Sequence, residues 1–167
     1  MIFANRQRNY LQSALYVIVA GVLAAVLLER LLTYAEAAEK AAMEATLSQL
    51  HSSLYARAAF LALRGEYEAM DALPSQSPFL ITQVRSPNYL GEFDGMPADV
   101  KGGHWFFDRT RNELVYVPNL KRYLTTGSSE RPASVLRFRL EVLKASKYGY
   151  TGVSLQPVGT FAWTPLP

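Results

Sequence analysis

The chain has 167 residues, no cysteine and a net charge of +3, which excludes disulfide scaffolds and thiolate metal centres. Once an apolar N-terminal stretch is set aside, the length suffices for one modest domain. Its 17 Lys and Arg are scattered rather than run together, so the basic balance argues for solubility and weak attraction to anionic lipid before nucleic acid.

Residues 1–9 (MIFANRQRN) carry Arg6 and Arg8, which favour a cytoplasmic start by the positive-inside rule. Residues 14–28 (ALYVIVAGVLAAVLL) hold no charge. With their flanks, residues 10–34 provide the ~20 residues that a bilayer-spanning helix needs. Tyr10 and Tyr34 suit the two interfaces. A rival reading takes the basic start, the apolar run and Ala35-Glu36-Ala37 as a secretory signal, with a mature start near Ala38. The polar ERLLTY segment makes an overlong approach to such a cut, so the anchored reading is preferred.

From Tyr34 to Gly65 the sequence is Ala- and Glu-rich without Pro or Gly, so nothing stops a helix that has already begun. Met43, Leu47, Leu50, Leu54, Ala58 and Leu61 recur at three- and four-residue spacing and predict one apolar stripe. Residues 35–73 are thus an amphipathic continuation of the membrane helix, ending in a last turn or short second helix before Pro74. Glu36 with Lys40, and Lys40 with Glu44, are expected as four-apart pairs on the solvated side.

Residues 74–167 read as the carried domain. The segment 75–103 is rich in Pro, Gly, Ser and Asp and predicts an ordered wrapping loop anchored by Phe79, Leu80, Ile81, Tyr89, Leu90 and Phe93. HWFFD and ELVYV flank RTRN and predict a β-hairpin. In VLRFRLEVL, Leu136, Phe138, Leu140 and Val142 alternate with Arg137, Arg139 and Glu141, as one buried and one wet face require. YLTTGSSERPAS reads as a loop, and 152–155 and 160–163 as short β-prone pieces. The expected fold is α+β: a long N-terminal helix, membrane-spanning then amphipathic, packed on a small antiparallel β-sheet. Its core candidates are Leu47, Leu50, Leu54, Trp105, Phe107, Leu114, Tyr116 and Phe138.

Here the order of parts resembles type IV pilins and, more closely, type II secretion pseudopilins. The resemblance rests on VLLERLLTYAEAAEKAAMEATL (26–47) and on PNYLGEFDG followed by GHWFFDRTRNELVYVPN (87–119). It implies a non-enzymatic structural subunit in the bacterial inner membrane, with a periplasmic domain, assembling through a helix that doubles as anchor and filament core. The family's N-terminal helix carries a glutamate where this chain has Gln12, and a peptidase glycine that is missing before Arg8. A second reading therefore stands beside the first: a single-pass accessory subunit of another inner-membrane complex that keeps the fold without processing or polymerisation.

Assembly candidates are Gln12, the small-residue patch of Gly21, Ala24 and Ala25, and Glu29 with Arg30 at the membrane edge. The expected partners are membrane lipid and other pilin-like subunits or subunits of an inner-membrane complex, with no nucleic acid, small-molecule substrate, cofactor or metal. No phosphate loop, nucleophile elbow or paired-carboxylate motif is visible. Asp94, Asp99 and Asp108 do not follow a calcium-loop spacing. Trp105, Phe106, Phe107 and Tyr116, near Arg109 and Arg111, read as core rather than a base-stacking platform.

Overall fold

The computed structural model describes residues 2–127, 135–145 and 149–165, with side-chain surroundings for 13–127, 135–143 and 152–165. A single helix, α1 (Ile2–Arg64), runs for 63 residues, about 95 Å at the α-helical rise. It stops where a positive φ is needed. Gly65 sits at φ 71, its N–H reaches Ala62 O and the next N–H reaches Leu61 O, the paired bonds of a Schellman ending. The chain then forms α2 (Tyr67–Asp71), a 3-10 turn (Leu73–Ser75) and α3 (Pro78–Thr82). The continuation expected through residue 73 is thus interrupted at Gly65, α2 is the short second helix expected before Pro74, and the expected wrapping loop contains helical turns.

Among the described residues the strands are β1 (Tyr89–Phe93), β2 (His104–Asp108), β3 (Glu113–Val117), β4 (Leu124–Thr126), β5 (Leu136–Ala145), β6 (Gly149–Pro157) and β7 (Phe161–Trp163). Five of them make one sheet in the order β1-β2-β3-β5-β6, and β4 pairs with β7 in a separate ribbon. The hairpin of β2 and β3 pairs His104 with Val117 through to Asp108 with Glu113. Asn112, in its turn, takes a left-handed φ of 53, a conformation that asparagine tolerates better than most residues. Two expectations are corrected here. The sheet is mixed, because β1 runs parallel to β2; a ten-residue crossover through residues 94–103 returns the chain in the same direction. The segment read as a plain loop at 123–134 contains β4, which is stable because β7 supplies its hydrogen-bonding partner.

Helix and sheet bury one another along most of the C-terminal half of α1. Met43, Leu50, Trp105, Phe107, Leu114, Tyr116, Leu136 and Phe138 form one cluster with Phe79 and Trp163, and Leu47 packs against it half-buried. Leu54, Ala58 and Leu61 continue the stripe against Leu140 and Val153. The opposite face of the sheet is also covered. Phe106, Val115, Val117 and Val135 are buried there under Phe93 and Val100, so all five residues of β3 are inaccessible.

On that second face Arg139 and Glu141 are exposed, as the alternation predicts, but Arg137 is largely covered. Arg137 Nη1 lies 3.3 Å from Glu113 Oε2 and 3.8 Å from Asp108 Oδ2, and its side chain is only 13% exposed. Arg139 Nη2 reaches Glu113 Oε1 at 2.5 Å. Two carboxylates opposed across the hairpin would repel; the two guanidiniums of the neighbouring strand neutralise them.

Candidate functional site

Two features stand out: a bare apolar helix half, and the junction where the domain grips it. From Ser13 to Leu32 every described side chain is exposed, including Leu15, Val17, Ile18, Val22, Leu23, Leu27 and Leu28. α1 is the one helix among the described residues long and apolar enough to cross a membrane. Water penalises such a surface by about 25 cal/mol per Å² of apolar area, so it needs a cover. Gly21, Ala24 and Ala25 lie on this half, and an added Cβ at Gly21 would meet nothing within 4 Å. Gln12 lies outside the residues whose side chains are described.

Below this half, the domain is latched to the helix by carboxylates. Glu36 is 2% exposed. Its Oε1 accepts the Trp163 indole N–H at 2.8 Å and the Tyr123 backbone N–H at 3.0 Å. One turn on, Glu39 accepts the Tyr116 hydroxyl at 2.9 Å and the Asn119 and Leu120 amides at 2.6 and 3.0 Å. These donors come from the side chain of Tyr116 on β3, the amides of the turn after it, the residue before β4 and the indole of Trp163 on β7, so the two carboxylates tie the main sheet and the β4–β7 ribbon to one helix. Burial, followed by the hydrogen bond and charge of Glu39, pushes the Tyr116 phenol well above its ordinary value. A Cβ at Gly102 would overlap Asn119 Cα, so the same turn also closes against a glycine.

Sequence reading expected Glu36 to pair with Lys40 on a solvated side, and the structure corrects this. The other expected pair, Lys40 with Glu44, forms at 3.6 Å, while Glu36 points into the domain. A signal existed: Glu36 stands seven residues before Met43 and fourteen before Leu50, in phase with the apolar stripe.

Towards the bare apolar half the contacts become exposed and polar. Glu29 Oε1 meets Arg122 Nη2 at 3.1 Å, the Arg122 guanidinium lies 5.6 Å from the Tyr123 ring, and Thr33 Oγ1 is 3.4 Å from the Tyr123 hydroxyl. Val26, Glu29, Arg30, Thr33, Tyr123, Thr164 and Pro165 line a cleft of about 560 Å³ between helix and domain. Glu29 and Arg30 are thus brought together with residues of the β domain that sequence reading had not singled out.

The acidic loop residues have other duties. Asp94 pairs with Arg109 at 2.8 Å, and Asp108 Oδ1 accepts the N–H and hydroxyl of Thr110 and the N–H of Gly95. Among the described residues no group of three or more His, Asp or Glu is placed to hold a metal ion.

No protein-family model, curated protein or solved structure matches the chain. Fold and junction define a class: an α+β protein whose long N-terminal helix can cross a membrane and, beyond that segment, packs on a small mixed sheet.

Proposed function

We propose that this protein is a non-enzymatic structural subunit of a bacterial inner-membrane assembly, of pilin-like or pseudopilin-like build. Its N-terminus is cytoplasmic, its β domain is periplasmic, and it assembles through the apolar half of α1. The observation that carries this reading is the unbroken passage of one helix from a bare apolar half into a half packed along the sheet. Such an element transmits position rather than chemistry: a partner gripping the membrane half displaces the domain as a rigid body. Small residues at Gly21, Ala24 and Ala25 would let a neighbouring helix approach closely.

The accessory-subunit reading is favoured by one specific observation, Gln12 in place of the family glutamate. A glutamine can hydrogen-bond to a neighbour but cannot form an ion pair with its amino terminus. The mixed sheet, with β1 parallel to β2, also departs from the antiparallel meander that the resemblance implies.

Because the chain has no cysteine, a single Ala25→Cys variant reports helix neighbours cleanly. Oxidative crosslinking in native membranes, followed by intact mass, separates the outcomes. Adducts between copies of this chain support a polymerising, pilin-like subunit. An adduct to one different membrane protein supports the accessory role, and monomers alone refute assembly through this face.

A further inference from the structure

The cleft at the helix–domain junction has a defined depth relative to the membrane. Residues 9–28, bounded by Arg8 and Glu29, contain no charged side chain. At the helical rise they cover about 30 Å, the thickness of a bilayer hydrocarbon core. Glu29 and Arg30 therefore stand at its outer boundary. The domain reaches down to that same level: Arg122 touches Glu29, Tyr123 touches Thr33, and Val26 lines the cleft with Thr164 and Pro165. No bare stalk separates domain and membrane, so the rim of the domain lies in the headgroup layer.

The chemistry of this rim is cationic. Arg30 lines the cleft beside one carboxylate, Glu29, which is paired with Arg122, and the exposed Lys121 precedes Arg122 in the chain. Among the described residues Arg30 and Lys121 form no ion pair, and Arg122 is more than half exposed even with its partner. Tyr123 adds an amphipathic ring of the kind enriched at bilayer interfaces. Its position is fixed from behind, because Glu36 holds the Tyr123 amide and the Trp163 indole.

From this geometry we infer that the junction is a seat for anionic phospholipid. The headgroup phosphate occupies the cleft between Arg30 on α1 and Arg122 on the domain, with the charge of Lys121 next to Arg122 in the chain, and the acyl chains run along the apolar face that begins at Val26. The inference rests on the membrane-anchor reading and deepens it by naming the lipid class and the residues. It assigns the rim a role besides packing: binding fixes the tilt of the domain on the bilayer. A cation next to an anionic surface gains about 1 kcal/mol, which is about a fivefold local enrichment of anionic over zwitterionic lipid for each free side chain.

The test uses the full chain in phosphatidylcholine nanodiscs, with a fluorophore on Thr125→Cys beside the rim and, separately, on Arg64→Cys at the far end of the helix. Trace spin-labelled phosphatidylglycerol or spin-labelled phosphatidylcholine serves as quencher. The expected result is quenching at position 125 and not at 64, with the glycerol lipid at least about fivefold more effective. Lys121→Gln with Arg122→Gln, both exposed, should bring that ratio close to one without releasing the chain from the disc. Equal quenching by the two lipids overturns the phosphate seat, and absence of quenching at 125 overturns the seated domain. A chain that fails to enter the discs, or that alkaline carbonate strips from native membranes, refutes the anchor reading itself.

Discussion

The latch at Glu36 makes the sharpest demand on the physics. Replacing Glu36 by Ala removes the acceptor shared by the Trp163 indole N–H and the Tyr123 amide and leaves both donors unsatisfied near a side chain that was 2% exposed. Each orphaned donor costs about 1–3 kcal/mol. Part of that returns, because the buried carboxylate no longer needs desolvating and Ala is the better helix former by a few tenths of a kcal/mol. The net expected loss is about 2–4 kcal/mol, a large share of a small domain's stability. Glu36→Gln keeps an acceptor oxygen in place and should cost about 1 kcal/mol or less. Urea unfolding of the full chain in detergent micelles gives the free energies, and hydrogen exchange of the Tyr123 amide and Trp163 indole shows whether the loss is local to the β4–β7 ribbon. If Glu36→Ala unfolds within about 0.5 kcal/mol of the parent chain, or Gln proves as damaging as Ala, the carboxylate is not the latch and the reasoning fails.

The covered second face of the sheet predicts that Phe106→Ala, at a fully buried position, costs about 3–5 kcal/mol, whereas Leu63→Ala, at a position 89% exposed, stays within about 0.5 kcal/mol; similar urea midpoints for the two would refute a packed second core. Tyr116 ties stability to alkaline pH. Its phenol is held above its ordinary value of 10.0, first by burial and then by Glu39, so the native state keeps a proton that the unfolded chain releases. The contribution is complete below pH 10 and is lost as pH rises above it. Burial, the largest cause, raises Tyr89 as well, so Tyr116→Phe should flatten part of the fall in urea midpoint between pH 9 and 11 and the double Phe variant more of it. An unchanged slope in both would refute the linkage.

Much of the architecture was legible because it is written in local pattern. The absence of Pro and Gly between Tyr34 and Gly65 predicts a helix ending where α1 ends, and the spacing of Met43, Leu50, Leu54, Ala58 and Leu61 marks the face that the structure buries. The alternation in VLRFRLEVL and the turn at RTRN likewise mark β5 and the β2–β3 hairpin. Periodicity reports which side of an element faces apolar matter, and here each element has enough residues for the period to show.

What the pattern could not carry was decided by partners distant in the chain. Glu36 and Glu39 look like ordinary solvated charges until donors 77 to 127 residues away converge on them. Arg137 reads as wet until Asp108 and Glu113 are brought across two strands to meet it. The parallel pairing of β1 depends on a crossover whose direction no local signal encodes, and three-residue strands such as β4 and β7 have too few residues to declare a period. The amino-acid sequence by itself determined a charge-free apolar segment long enough for a bilayer, a helix that continues beyond it and a strand-rich remainder. Only the tertiary structure decided how close that remainder sits to the boundary of the apolar segment, because that distance is set by hydrogen bonds from Tyr123 and Trp163 to one buried carboxylate, and a hydrogen bond exists only once the fold has brought donor and acceptor within about 3 Å.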